Sequence, residues 1–255
     1  MADFPDGAAI VFGATGGLGG AAVRALAAAG SDIALCYSSK HDAARALAHE
    51  IEAAGRRASV HQLDVTDSEA VAAVRDAAVA AHGRLHTMVW AAGPVVDQLH
   101  LGETPLAKWK RSIDIEVMGF FAATQAILPH MREKGGGSFV HLGSAGDLLW
   151  PPRDGLSVAP KAANESLVRG IAKEEGPYGI RANSVLVGVI DAGMFHELLA
   201  RGDFDDAWVE QVRASLPLRR WGTAEEIGHA VVFLASQRAA YTTGQQLAVA
   251  GGYGI

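Results

Sequence analysis

Short apolar runs alternate with longer alanine-rich or amphipathic stretches along the whole chain, and this alternation leaves few folds open. The apolar runs are Ala8–Phe12, Asp32–Tyr37, Ala58–Leu63, Thr87–Ala91, Gly137–Leu142, Ile180–Leu186 and Gln246–Ala250. Between them lie Gly19–Ala29, His41–Ala54, Ser68–His82, Pro105–Glu133 and Val158–Glu175, which read as helices. A strand that is apolar at consecutive positions is buried on both faces, and intervening helices return the chain for parallel pairing. The pattern predicts an α/β fold: one Rossmann-like, doubly wound domain of about seven parallel strands with helices on both faces. Residues 190–218 break the rhythm, because a helical pattern follows a strand directly. Ligands of open α/β sheets sit beyond the carboxyl ends of the strands, so this insertion is expected to act as a lid.

A chain of 255 residues with 49% apolar content can bury one such core. Its net charge of −6 argues against nucleic acid as a partner. Cys36 is the single cysteine, which excludes an internal disulfide and fits a reducing compartment. Lying in an apolar run, it reads as a buried thiol rather than a nucleophile. No signal peptide precedes Ala8 and no apolar stretch is long enough to span a bilayer, so a soluble, cytoplasmic protein is expected. The ten histidines show no metal-ligand spacing, and no metal is expected. His82 and His86 flank Gly83 in an expected turn and read as solvated loop residues.

The first strand runs into Gly13-Ala14-Thr15-Gly16-Gly17-Leu18-Gly19 and then a helix. Glycines at 13, 17 and 19 let a backbone approach a pyrophosphate at a helix N-terminus. The second strand ends in Tyr37-Ser38-Ser39-Lys40, without the acidic residue that would hold an adenosine ribose and select NAD. Two hydroxyls and an ammonium suit a 2′-phosphate, so NADP(H) is the expected cofactor.

With these and five later motifs, the chain resembles the short-chain dehydrogenase/reductase family over nearly its whole length. The later motifs are Leu63-Asp64-Val65, Ala91-Ala92-Gly93, Gly143-Ser144, Lys161-Ala162-Ala163 and Ile180-Arg181-Ala182-Asn183-Ser184-Val185. The tail from Arg219 through Glu225-Glu226-Ile227 to Gly251-Gly252 matches as well. The resemblance implies that Asp64 and Val65 meet the adenine, and that Ala92 and Gly93 pass beside the adenosine ribose. It implies that Lys161 binds the nicotinamide ribose and Ser144 a substrate oxygen. Thr15, Leu18, Gly188 and Ile190 would also line the cofactor. It further implies a homodimer or homotetramer, in which the helices Pro105–Glu133 and Val158–Glu175 pair across a two-fold axis.

The family's active site combines Asn, Ser, Tyr and Lys, and two of the four are replaced here. Ser157 stands four positions before Lys161, where the resemblance places the tyrosine that protonates the nascent alkoxide. Serine is less acidic and shorter. With Pro160 close behind, Ser157 reads first as the N-cap of a helix and second as a catalytic hydroxyl. Glu116 occupies the asparagine position, as either a general base or a carboxylate paired with Lys161. Ala192 replaces a threonine that commonly bonds the nicotinamide carboxamide. Other candidates near the pocket are His141, read as a core histidine, and Asp147 and Arg153, read as a solvated loop pair. His196 is either a substrate contact or an exposed helix residue, and Trp150 is a candidate stacking wall.

The expected activity is NADP(H)-linked oxidoreduction of a mid-sized carbonyl or polarised alkene through a non-standard site using Ser144, Lys161, Ser157 and Glu116. The alternatives are a redox-neutral dehydratase, isomerase or cyclase, or a non-catalytic partner subunit.

Overall fold

The computed structural model describes residues 3–255. Seven strands form one parallel sheet: β1 (Ala8–Phe12), β2 (Asp32–Tyr37), β3 (Ala58–Gln62), β4 (Leu85–Trp90), β5 (Gly137–Ser144), β6 (Ile180–Val187) and β7 (Gln246–Val249). Their order is β3-β2-β1-β4-β5-β6-β7, so the winding reverses between β1 and β4. A crevice at such a reversal is the natural ligand site of this architecture.

Nine α-helices complete the described fold: α1 (Gly17–Ala28), α2 (His41–Ala53), α3 (Ser68–His82), α4 (Leu106–Ile113), α5 (Gly119–Glu133), α6 (Gly155–Glu175), α7 (Met194–Arg201), α8 (Asp206–Ser215) and α9 (Ala224–Ala235). Successive residues of β1 point to opposite faces, and both faces are covered. Ala9 and Val11 pack with Leu26 of α1, Leu47 of α2 and Val231 of α9. Ile10 and Phe12 pack with Val74 of α3, Ile127 of α5 and Val168 of α6. Double coverage is why β1 is apolar throughout rather than alternating.

The stretch expected as one helix over Pro105–Glu133 is divided by a π-helical turn at Asp114–Met118. The wide turn sets Glu116 inward, and its freed carbonyl accepts a hydrogen bond from Asn164 Nδ2 at 2.9 Å. π-Turns inside α-helices are rare and concentrate at functional sites.

The helix expected from Val158 instead begins at Gly155, with Asp154 in the N-cap position. Ser157 therefore lies within the first turn, its amide bonded to the Asp154 carbonyl at 3.1 Å, and it is not the cap. Pro160 lies inside the helix rather than in its first turn. Proline deprives the carbonyl four residues back, that of Leu156, of its helical donor. Ser112 Oγ supplies the missing donor at 2.6 Å, which lets the helix run through Pro160.

His82 and His86 are core residues rather than solvated loop residues. Both are buried, His82 at the end of α3 against Ser59 Oγ and His86 in β4 between Ser31 and Thr87 hydroxyls. Burial, with the nearby Arg84 charge, pushes His86 down to about 4, so it is a neutral core residue. Cys36 lies fully buried in β2, and burial pushes its thiol far up. Among the described residues no group of His, Cys, Asp and Glu could hold a metal ion, and no helix is long and apolar enough to cross a membrane.

Candidate active site

One cavity of about 1050 Å³ opens at the carboxyl ends of the strands, where the winding reverses. A smaller one, about 630 Å³, lies near Arg84, Gly137 and Arg181 at the amino ends of the strands, away from the glycine loop.

The glycine loop forms one wall of the large cavity, with Gly13, Thr15, Gly17, Leu18 and Gly19 all lining it. Gly13 has φ +81°, a conformation that favours glycine. A Cβ on Gly19 would collide with the Gly13 carbonyl, and one on Gly17 would lie 2.8 Å from the backbone of Gly193. Gly16 caps α1 without a side-chain hydrogen bond, so the cradle is backbone amide surface at a helix N-terminus. This donor set fits a pyrophosphate.

Ser38, Ser39 and Lys40 are exposed at the cavity's far end, and Tyr37 beside them is tied to His41 Nδ1 at 2.6 Å. Asp64, Val65, Ala92, Gly93, Gly188 and Ile190 line the same cavity. One oxygen of Asp64 accepts the amide and hydroxyl of Thr66 at 2.9 and 2.8 Å, so Asp64 also builds its own turn. Those bonds hold its carboxyl below the usual range. Gly93 has a structural duty too, since a Cβ there would strike the Glu116 carboxylate.

Ser144, Ser157, Lys161 and Glu116 all line this cavity. Ser144 sits at the end of β5 and accepts the Gly146 amide at 3.1 Å. Lys161 Nζ donates to Glu116 Oε1, and Glu116 is only 1% exposed. The ion-pair reading of Glu116 is the one that the geometry realises. Behind it, His141 is fully buried, with Nδ1 2.8 Å from Glu165 Oε1, and Gln246 Nε2 donates to the other Glu165 oxygen at 3.0 Å. Burial alone would raise the Glu165 carboxyl, but His141 and its other partners hold it below its ordinary value.

The remaining candidates separate. Arg153 does not pair with Asp147: its Nε donates to the Gln98 carbonyl at 3.1 Å, while Asp147 is exposed. His196 is exposed and lies 2.7 Å from Asp191. Trp150 is 46% exposed and does not line the cavity. The aromatic wall comes from Phe195, Phe204 and Trp208 of the 190–218 segment, the last two stacked at 3.8 Å between centroids.

Several lining residues escaped the sequence reading, among them Gln98, Arg111, Asp154 and Tyr253. Asp154 had a legible signal, because it precedes Ser157 by three and Lys161 by seven, the spacing of one helix face. Tyr253 had none, since only the tertiary fold returns the C-terminus to this cavity.

The group described as Enoyl-(Acyl carrier protein) reductase matches residues 13–254. Cis-4-hydroxycyclohexanecarboxylate dehydrogenase of Sinomonas cyclohexanicum is 34% identical over 98% of this chain and 97% of its own. Among solved structures, a blue fluorescent protein from a metagenomic library, in complex with NADPH, superposes with a TM-score of 0.89. It is 34% identical over 99% of this chain and 100% of its own. NAD+-bound xylitol dehydrogenase superposes at 0.91, with 27% identity over 96% and 98% of the two chains. Sheet order, glycine cradle and these likenesses agree: the chain belongs to the short-chain dehydrogenase/reductase family.

Proposed function

We propose that the protein is an NADP(H)-dependent oxidoreductase that interconverts a carbonyl and an alcohol on a mid-sized substrate with an apolar ring. The observation that carries this reading is the continuity of one cavity. It runs from the glycine loop and Ser38–Lys40, past Lys161 and Ser144, to the aromatic wall of Phe195, Phe204 and Trp208. When bound, the nicotinamide supplies or accepts the hydride. The chain's residues do the rest: Lys161 holds the ribose hydroxyls, and Ser144, whose oxygen already accepts the Gly146 amide, turns its own proton toward a substrate oxygen. Stacked Phe204 and Trp208 offer flat apolar faces to a ring, and residues 190–218 act as a lid that excludes water. A relative named for a hydroxycyclohexanecarboxylate fits such a wall. Glu116, the base that a redox-neutral reaction would need, is committed to Lys161.

The choice of NADP(H) over NAD(H) rests on Lys40 and the two serines at the cavity's far end. We further infer a homodimer or homotetramer, since Leu106, Met118 and Phe121 leave an exposed apolar face on α4, α5 and the turn between them.

Calorimetry with both cofactors tests the first part. NADPH should bind at least about tenfold more tightly than NADH, and Lys40→Ala should narrow that gap. Equal affinities would remove the NADP assignment. Oxidation of NADPH in the presence of substituted cyclohexanones tests the second part; a protein that binds NADPH yet consumes none with them is not this enzyme.

A further inference from the structure

We infer that Asp154 is the residue that exchanges a proton with the substrate oxygen, in the role that Ser157 leaves open. The inference rests on the oxidoreductase reading above.

Asp154, Ser157 and Lys161 follow one face of α6, and all three border the cavity together with Ser144. Asp154 occupies the N-cap position, yet its carboxylate accepts none of the helix amides. It remains turned to its other neighbours. Gln98 Nε2 donates to Oδ1 at 3.3 Å, and Leu99 bridges the Asp154 backbone as a parallel pair. Arg153, held at φ +74°, donates to the Gln98 carbonyl and so fixes the same segment from the other side. The carboxylate is thus braced at the cavity wall by two chain segments.

The charged and titratable groups around it are Lys161 on its own helix, Arg153 beside it in the chain and Tyr253 from the C-terminal turn. Burial dominates, and it raises the Asp154 carboxyl despite the Gln98 hydrogen bond and the Lys161 charge. A carboxyl held above its usual range is better matched to proton exchange near neutrality than an ordinary surface aspartate.

Three other titratable groups near the cavity are occupied or badly placed. Glu116 is bound to Lys161. The Tyr253 hydroxyl donates to the Leu149 carbonyl at 2.8 Å, and burial with the Asp154 charge raises its pKa. His196 is exposed beside Asp191.

In reduction, the carbonyl carbon gains a hydride from the reduced nicotinamide and the π pair moves to oxygen. That oxygen takes the Asp154 proton, leaving an alcohol, oxidised cofactor and a carboxylate that solvent reprotonates. Oxidation runs the same transfers backwards, with the carboxylate as base.

Asp154→Asn keeps the shape and removes the exchangeable proton. NADPH affinity by calorimetry should stay within about twofold, and kcat for ring-ketone reduction should fall by roughly 10² to 10⁴ with KM nearly unchanged. Wild-type reduction should decline, and alcohol oxidation rise, as pH increases through the Asp154 pKa; the variant should lose that limb. Asp154→Glu should recover part of the rate, and formate should restore part of it to Asp154→Ala. An active wild type whose Asp154→Asn variant keeps its kcat and pH profile overturns the assignment of Asp154 alone. A wild type that binds NADPH but reduces no carbonyl overturns the oxidoreductase reading, and this proposal with it.

Discussion

The ammonium of Lys161 reaches the cavity with the buried carboxylate of Glu116 bonded behind it. Glu116 Oε1 accepts from Nζ, while its other oxygen is buried and has no hydrogen-bond partner among the described residues. A carboxylate in that position depends on its cation, because removing one member of a buried pair strands the other charge.

Lys161→Met should therefore destabilise the fold by roughly 3 to 5 kcal/mol, read from urea unfolding. Glu116→Gln in the same background should recover most of that loss. Additive single effects would mean that the two charges do not depend on each other.

Ser157→Ala should change stability by less than about 0.5 kcal/mol, against the roughly 1 kcal/mol typical of a lost N-cap. The helix already starts at Gly155, and the Ser157 amide belongs to its first turn. Thermal melts decide between the two values. Turnover should also survive, since the proton role falls to Asp154.

Ser112→Ala should cost about 1 to 3 kcal/mol, because the Leu156 carbonyl, which Pro160 deprives of its helical donor, would lose the Ser112 hydroxyl. Pro160→Ala restores a helical N–H to that carbonyl. In a Pro160→Ala background the same serine substitution should be nearly silent, a coupling that a double-mutant cycle would reveal.

At the start of α9, Thr223 and Glu226 form a reciprocal capping box, and Arg220 grips the Glu226 carboxylate at 2.6 Å. The Arg220 hydrogen bond, helped by the Thr223 amide, holds Glu226 down to about 2. A depressed carboxylate stabilises the fold fully above its unfolded value and loses that contribution as pH falls toward 2. Both side chains are substantially exposed, so solvent screening keeps the effect small. Arg220→Ala should flatten the stability decline between pH 4.5 and 2 relative to wild type, as followed by urea unfolding at stepped pH.

The central strands were legible in the chain because a doubly covered parallel sheet favours consecutive apolar residues, a pattern that survives without knowledge of the neighbours. β1 and β2 fall where the apolar runs place them, and α3 does so over Ser68–His82. The glycine loop was equally readable, because close backbone approach to a phosphate restricts residue type locally. The absence of tyrosine at position 157 is likewise plain from the sequence.

What takes that tyrosine's place was not a local matter. The start of α6 shifted by three residues because Ser112, 44 positions before Leu156, supplies the donor that Pro160 removes. His82 and His86 looked like loop residues around a glycine, yet packing buried both against serine and threonine hydroxyls. Trp150 looked like a wall and is exposed, while Phe204 and Trp208 from a distant segment face the cavity instead. Composition and period act within a few residues, so the chain itself determined its sheet, its helices and its cofactor loop. Hydrogen bonding and burial act across the fold, so only the tertiary structure decided that Glu116 would neutralise Lys161 and that Asp154 would stand at the cavity wall.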